Sequence, residues 1–329
     1  MPLALTLARG ALTSALKRGV HADAELPATR IGGPVRIDPA RLAAYARICG
    51  FPRGGPLPLP YPHVLGFALA MRLMAARRFP LPLLGLVHTR IEITGRRPLH
   101  PEDTPVLTVH AEALTPHRRG TEVTIVTQAH QDDDLVWESR SGYLARHRTS
   151  YDTDHPAPET RHRTSHDTDH PAPETRHRTS QDTDPPAPET RHRTSQDTDP
   201  PAPETRRPAT GHPAPDEPLP ALGTWQLPAD LGRRYGAASG DRNPIHLHPL
   251  TARAFGFPRA IAHGMWTFAR CLAESDIPQL ASASAEFRAP VLLPASVTYA
   301  AAPAGSGTVF QLRSGDRIHL SGRTSAHPS

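Results

Sequence analysis

The sequence predicts an α+β protein made of two copies of one unit, a helix wrapped by an antiparallel sheet, with a disordered linker between the copies. Three observations predict this architecture. Each half of the chain opens with helical patterns and continues with segments of alternating polarity. The halves align in order, with Tyr45 on Tyr235 and Gly50 on Gly240. A 15-residue repeat without Leu, Ile, Val, Phe or Met separates them.

The first half is predicted as a domain over residues 27–145 and begins with IDPARLAAYARICG. Asp38 is a good N-cap, Pro39 suits the first helical turn, and Leu42 and Tyr45 recur at helical spacing. A longer apolar helix is expected in HVLGFALAMRLMAARRF. Alternating polarity then predicts antiparallel strands in VHTRIEIT, VLTVHAEAL, TEVTIVTQAH and LVWESRSGYLAR.

The second half, predicted over residues 219–325, repeats this order. A short helix is expected in PADLGRRYGAASG and a longer one in HGMWTFARCLAES, where we place Trp266 in the core. Strands are expected in ASAEFRAPVLLPASVTYAAA, GTVFQLRSG and DRIHLSGRTS. The alignment also places PHVL (62–65) on AHGM (262–265), which supports two copies of one unit.

The segment between the halves, residues 146–218, is predicted to be a disordered linker. The unit RHRTSYDTDHPAPET at 146–160 recurs three more times with few changes. Without large apolar residues it cannot bury enough surface to offset the entropy of ordering. Seven of the 20 histidines lie in these units, but no cysteine or helix fixes their spacing, so we predict no metal site there.

Charge and cysteine content restrict the partners and the compartment. The net charge is +5 without a run of basic residues, so we predict no nucleic-acid partner; a phosphate-bearing small molecule or an acidic carrier would suit it. Cys49 and Cys271 lie in different halves and predict no disulfide framework, which favours a reducing compartment, the cytoplasm. No apolar run reaches the ~18 residues of a membrane span. Residues 1–26 are interpreted as an N-terminal arm, with a targeting peptide as the alternative.

The chemistry is concentrated in SGDRNPIHLHPLTARAFGFPRAIAHGMW, residues 239–266. Asp241 and His246 flank a turn-forming Arg-Asn-Pro-Ile stretch, which can bring a carboxylate and an imidazole to one small volume. An imidazole has a pKa of about 6.5, so it can give or take a proton at neutral pH. A neighbouring carboxylate can share a water with it. The alternative is structural, because an Asp at a turn is often only a cap.

Two further features of this stretch bear on the site. Gly264 follows His263 at a predicted helix start, where unpaired N–H groups could stabilise negative charge on a carbonyl oxygen. His248 creates a His-x-His pattern, but no third ligand lies at a suitable spacing. We therefore interpret His248 as a surface residue and predict no metal at the site.

The stretch closely resembles the hydratase motif of the MaoC-like dehydratases, the (R)-specific enoyl-CoA hydratase group. The resemblance extends over YGAASGDRNPIHLHPLTARAFGFPRAIAHGMW and continues into FRAPVLLP, a strand in that family. The two halves together resemble the two-domain members, which have a double hot-dog fold. Only the second half carries the motif.

This resemblance implies roles for individual residues. Asp241 and His246 match the catalytic pair that activates a water for addition across a trans-2-enoyl thioester, or removes water from an (R)-3-hydroxyacyl thioester. Gly264 matches the residue whose N–H polarises the thioester carbonyl. Ser239, Asn243 and His263 match supporting positions. The reaction implied needs no metal and no other cofactor.

The first half departs from the motif. Phe51 stands at the position of Asp241, Arg53 at that of Asn243 and Val64 at that of Gly264. We therefore expect this half to complete the paired core and to shape the acyl or pantetheine channel, with PLPLPYP either lining a tunnel or packing as an irregular loop. Two units in one chain predict an internal pseudo-dimer, with a homodimer as a further option.

The sequence thus predicts an enoyl-thioester hydratase or 3-hydroxyacyl-thioester dehydratase that acts on CoA or carrier-protein thioesters. A non-catalytic acyl-thioester-binding or accessory subunit is the alternative, which the degenerate first half motivates. A thioesterase is a third option, because hot-dog folds also serve that reaction.

Overall fold

The structure, a computed structural model, describes residues 24–83, 85–147, 217–275 and 281–326. The predicted N-terminal arm and repeat linker lie outside these ranges, apart from a few residues at their ends. Among the helices described, none has the length and apolarity needed to cross a membrane.

The first half has two helices followed by four strands, in the expected order, after one short strand that the sequence pattern did not predict. Its elements are β1 (Ile31–Pro34), α1 (Pro39–Cys49), α2 (Tyr61–Met74), β2 (Val87–Gly95), β3 (Val106–His117), β4 (Gly120–Gln131) and β5 (Asp134–Arg146).

The second half repeats this plan, with two short helices inserted between its main helices. Its elements are β6 (Ala221–Leu227), α3 (Leu231–Ser239), α4 (Pro244–Leu247), α5 (Pro249–Ala254), α6 (Gly264–Glu274), β7 (Ala281–Phe287), β8 (Ala295–Ala304), β9 (Gly307–Ser314) and β10 (Arg317–Ala326).

All of these strands form one antiparallel sheet in the order β1-β3-β4-β5-β2-β7-β10-β9-β8-β6. The junction between the halves is the pairing of β2 with β7, which runs from Arg90 opposite Glu286 to Thr94 opposite Ser282. On either side of this junction the strands follow in equivalent order, as expected for two copies of one unit. The two helix-wrapped sheets predicted from the sequence therefore join edge to edge, and neither half leaves its junction strand unpaired.

The first helices of the two halves, α1 and α3, pack against each other and end in the same way. Helices α1 and α3 end at Gly50 and Gly240, which have φ angles of 85° and 83°, a left-handed conformation that favours glycine. Their aligned tyrosines, Tyr45 and Tyr235, are buried with ring centroids 6.1 Å apart. Trp266 is buried and its Nε1–H donates to the Ile48 carbonyl at 2.9 Å, which confirms its place in the core.

The strand predicted across FRAPVLLP is wrong beyond Phe287, where β7 ends. Prolines within the stretch lack the N–H that a strand ladder requires. The segment instead fastens the loop before α6: the Val291 carbonyl accepts from Ala262 N–H at 2.9 Å, and Leu293 N–H donates to Ala260 at 2.8 Å. These contacts fix the chain that leads into His263.

Candidate active site

The turn after α3 holds the carboxylate of Asp241. The N–H of Asp241 donates to Ser239 Oγ at 3.2 Å, and the N–H of Asn243 donates to Asp241 Oδ1 at 3.1 Å. The Asn243 side chain then caps α4 by accepting from Ile245 N–H at 3.4 Å. The predicted turn around Pro244 is thus a single helical turn, and it carries His246.

His246 has a defined tautomer. Its Nδ1 lies 2.9 Å from the Ile261 carbonyl oxygen, and a carbonyl only accepts, so Nδ1 carries the hydrogen. The neutral ring therefore has its free lone pair on Nε2, the form required of a base. The imidazole is buried, whereas a quarter of the Asp241 side chain remains exposed. The structure brings the acid and the imidazole together, as the sequence predicts.

His263 supports the same turn. Its Nε2 lies 3.0 Å from the Asp241 carbonyl oxygen and 3.8 Å from Asp241 Oδ2. Its ring stacks on His246 with a centroid distance of 3.7 Å and packs against Tyr235 at 4.8 Å. Because Nε2–H donates to the backbone of Asp241, His263 fixes the position of the acid.

The same three side chains have atoms that can bind a metal ion. Ligand atoms of Asp241, His246 and His263 all lie within 4.8 Å of one another. However, Nε2 of His263 carries the hydrogen that the Asp241 carbonyl accepts, so that atom offers no lone pair. The other ring nitrogen of His263, Nδ1, keeps its lone pair and is buried without a hydrogen-bond partner. His248 is exposed and caps α5 through Nδ1, which confirms its interpretation as a surface residue.

Burial and mutual interaction shift the pKa values of these groups. Burial raises the pKa of Asp241, while His246 and the Asn243 N–H oppose that shift. Burial lowers the pKa of His246, opposed by Asp241 and by the bond to Ile261. Burial lowers the pKa of His263 well below its usual range. At neutral pH both imidazoles are therefore uncharged and His246 is able to accept a proton.

Gly264 begins α6, with His263 as its N-cap. The first N–H groups of a helix have no intrahelical acceptor and lie at the positive end of its dipole. A Cβ built on Gly264 would lie 3.1 Å from Cδ1 and Cε1 of Phe287. The absence of a side chain at Gly264 therefore lets the Phe287 ring pack closely beside the first N–H of α6.

The first half contributes groups to this site that the sequence analysis missed. The Phe287 ring lies 4.7 Å from His88, which stacks on Tyr143 at 4.6 Å. The charge of Asp241 adds to burial in raising the pKa of Tyr143. Arg41 donates from Nε to the Ala238 carbonyl at 2.8 Å and from Nη2 to that of Ser239. The sequence contains one sign that a cation from elsewhere binds the end of α3: this helix has no basic residue in its own last turn.

The equivalent positions of the first half have a different environment. Phe51 stacks on Tyr45 with centroids 6.2 Å apart, and Val64 is buried in α2. His63, at the position of His263, bonds Ser139 Oγ through Nδ1 at 3.2 Å. A cavity of about 460 Å³ lies here, lined by residues that include Phe51, Pro52, Leu57, Leu59, Arg97, Trp137 and Leu272. The prediction that this half shapes a substrate channel stays a prediction.

The chain is similar to known proteins over most of its length. A family model described as a MaoC like domain matches residues 196–319. The 3-hydroxyacyl-thioester dehydratase X of Mycobacterium tuberculosis is 33% identical over 279 residues, which cover 84% of this chain and 81% of that protein.

Solved structures show the same fold. The crystal structure of HtdX from Mycobacterium tuberculosis has a TM-score of 0.67 at 30% identity, covering 91% of this chain and 99% of the other. A MaoC-like dehydratase from Phytophthora capsici has a TM-score of 0.60 at 15% identity, covering 94% and 98%. At that identity the likeness concerns the fold alone.

Proposed function

The chain belongs to the MaoC-like dehydratase family, and we propose that it is a hydratase that adds water to trans-2-enoyl thioesters, or removes it from (R)-3-hydroxyacyl thioesters, in fatty acid or related acyl metabolism. One observation carries the proposal: Asp241 and His246 lie together with His263, the residue that directly precedes the first N–H of α6. The name of the relative in Mycobacterium tuberculosis, a 3-hydroxyacyl-thioester dehydratase, supports the same reaction class.

In the proposed mechanism one water binds between Asp241 and His246. The carboxylate accepts one O–H of the water and orients it, while neutral Nε2 of His246 accepts the other. As the water oxygen bonds to C3, its proton passes to His246 and the double bond shifts its electrons toward the thioester carbonyl. The imidazolium then returns that proton to C2, so both additions come from the same side.

The carbonyl oxygen gains negative charge during the addition. The N–H of Gly264, at the positive end of α6, is placed to stabilise that charge. Ser239, Asn243 and His263 act on the turn: they hold Asp241 through its N–H, its Oδ1 and its carbonyl oxygen. No step requires a metal or another cofactor.

We also propose the division of the chain. Residues 27–145 form a hot-dog domain with a degenerate site, residues 146–218 a linker, and residues 219–325 the catalytic hot-dog domain, after an arm at 1–26. The pairing of β2 with β7 supports an internal pseudo-dimer. We place the enzyme in the cytoplasm, because both of its buried cysteines are free thiols.

The test is hydration of crotonyl-CoA, which removes the absorbance of the conjugated thioester. We expect His246→Ala and Asp241→Asn to lower kcat by roughly a hundredfold or more, the usual size of a lost acid–base contribution. His248→Ala, on the surface beside the site, is the matched control and should retain activity. Full activity of the first two variants would contradict the assignment, and release of free thiol would indicate a thioesterase.

A further inference from the structure

Basic residues are concentrated around the candidate site. From Leu231 to Ala273 the chain has six arginines and a single acidic residue, Asp241, which belongs to the site. The complete chain is far more balanced, with 37 Lys and Arg against 32 Asp and Glu. Five of the six arginines precede Gly264, and all five are exposed. The positive charge therefore lies on exposed positions of the segments that precede and follow the turn carrying the catalytic pair.

Exposed apolar side chains lie among these arginines. Leu250 on α5 is 65% exposed and Phe255, directly after α5, is 41% exposed. Within the described ranges only two other large apolar residues, Val106 and Leu222, are exposed to this degree. Two of four such side chains thus lie within six residues of each other, immediately after the helix that carries His246. We define the basic rim as Arg233, Arg242, Leu250, Arg253, Phe255 and Arg259.

Three arginines of the basic rim are held by backbone carbonyls. Arg233 donates to the Leu247 carbonyl at 3.2 Å, Arg253 to that of Pro258 at 3.3 Å, and Arg259 to that of Pro294 at 3.4 Å. A guanidinium has five N–H donors, so one such bond orders the side chain and leaves donors for a partner. Ordered cations beside apolar side chains resemble the composition of protein–protein contact surfaces.

We propose that the basic rim docks an acidic acyl carrier protein, which delivers the thioester into the site on its phosphopantetheine arm. The proposal rests on the hydratase function and specifies its substrate carrier. CoA would offer its phosphates to the arginines and only its adenine ring to Leu250 and Phe255. An acidic protein face with apolar residues satisfies both components, and complementary charge accelerates its encounter.

The experiment presents one crotonyl group on three carriers: N-acetylcysteamine, CoA and an acidic acyl carrier protein. The readout is kcat/KM on each carrier divided by kcat/KM on N-acetylcysteamine, a ratio that isolates carrier recognition from chemistry. We expect Arg253→Glu to lower the carrier-protein ratio by about tenfold, with the wild-type ratio falling as salt rises. Leu250→Ser should lower the carrier-protein ratio several-fold and leave the CoA ratio unchanged. Arg77→Glu, an exposed arginine after α2, should change neither.

Two outcomes would overturn the proposal. If Arg253→Glu lowers only the CoA ratio and Leu250→Ser has no effect, the basic rim recognises phosphate alone. An unchanged carrier-protein ratio in both variants would remove the docking role. If the wild-type chain hydrates none of the three thioesters, the hydratase function fails instead. Docking is then judged from the affinity for the labelled carrier protein, measured by fluorescence anisotropy. Arg253→Glu and Leu250→Ser should weaken this affinity, and Arg77→Glu should leave it unchanged.

Discussion

The guanidinium of Arg41, in the first half, donates to the carbonyl of Ser239, the last residue of the helix that leads to Asp241. A second bond, from Nε to the Ala238 carbonyl, measures 2.8 Å. The last carbonyls of a helix have no intrahelical donor, and a cation there also interacts favourably with the negative end of the helix dipole. The half that lacks the catalytic motif therefore holds the start of the catalytic turn.

Arg41→Ala should lower kcat by roughly ten- to a hundredfold, because a small displacement of Asp241 misaligns the shared water. KM for a small thioester should change little, since the bonds of Arg41 go to the backbone of α3. Arg41→Lys should recover part of kcat, because an ammonium can replace one of the two bonds but not the bidentate geometry. Steady-state kinetics with crotonyl-CoA measures both parameters.

Arg47→Ala is the control for this prediction, since Arg47 is exposed in the last turn of the same helix. Unaltered kcat in Arg41→Ala, or an effect confined to KM, would show that Arg41 does not position the turn.

Gly264→Ala should lower kcat/KM by about a hundredfold, the effect of losing one oxyanion donor. The new methyl would lie 3.1 Å from Phe287 and crowd the first N–H of α6, where the carbonyl oxygen is proposed to bind. Gly33→Ala is the matched control, because a Cβ there meets nothing within 4 Å. Phe287→Leu combined with Gly264→Ala should relieve the packing without restoring turnover. Thermal unfolding separates stability from activity, and an active Gly264→Ala variant would exclude a close approach of the carbonyl to this N–H.

Local features of the site could be predicted from the sequence because they depend on short spacings. Asp241 and His246 are five positions apart, and the caps at Ser239 and Asn243 act within two residues. The glycine ends of α1 and α3 also follow from local sequence, since glycine readily adopts the left-handed conformation found after both helices.

Features that depend on distant pairing could not be predicted. Arg41 meets Ser239 across almost two hundred residues, and Tyr143 reaches the site only because β5 is the second strand from the junction with β7. The apolar pattern of FRAPVLLP suggested a strand, but its prolines cannot complete a ladder. In this segment the missing N–H groups of the prolines outweigh the strand-like polarity pattern.

The pH profile of kcat/KM should be flat near neutrality and should fall as the medium becomes acidic. Burial lowers the pKa of His246, so the free base is present at pH 7 and is lost only below the ordinary imidazole value of about 6.5. Because Asp241 opposes that lowering, Asp241→Asn should move the acid limb of the residual activity to still lower pH. An acid limb centred above pH 7 in the wild type would contradict a neutral, buried His246.

Stability should also depend on pH, through His63. Burial lowers its pKa to about 4, below the ordinary value of about 6.5 expected when the chain unfolds. Between these values the unfolded chain binds a proton that the folded chain excludes, so stability is complete above pH 6.5 and declines as the pH falls. At pH 5 the loss amounts to about 2 kcal/mol of unfolding free energy.

His63→Gln should remove this part of the pH dependence while allowing a hydrogen bond to Ser139. The measured quantity is the difference between unfolding free energies at pH 7.5 and pH 5, from urea denaturation. That difference should shrink by about 2 kcal/mol in His63→Gln and stay unchanged in His100→Gln, whose ring is exposed. Using the difference cancels any packing lost at both pH values, so an unchanged difference in His63→Gln would mean that this imidazole is charged in the folded protein.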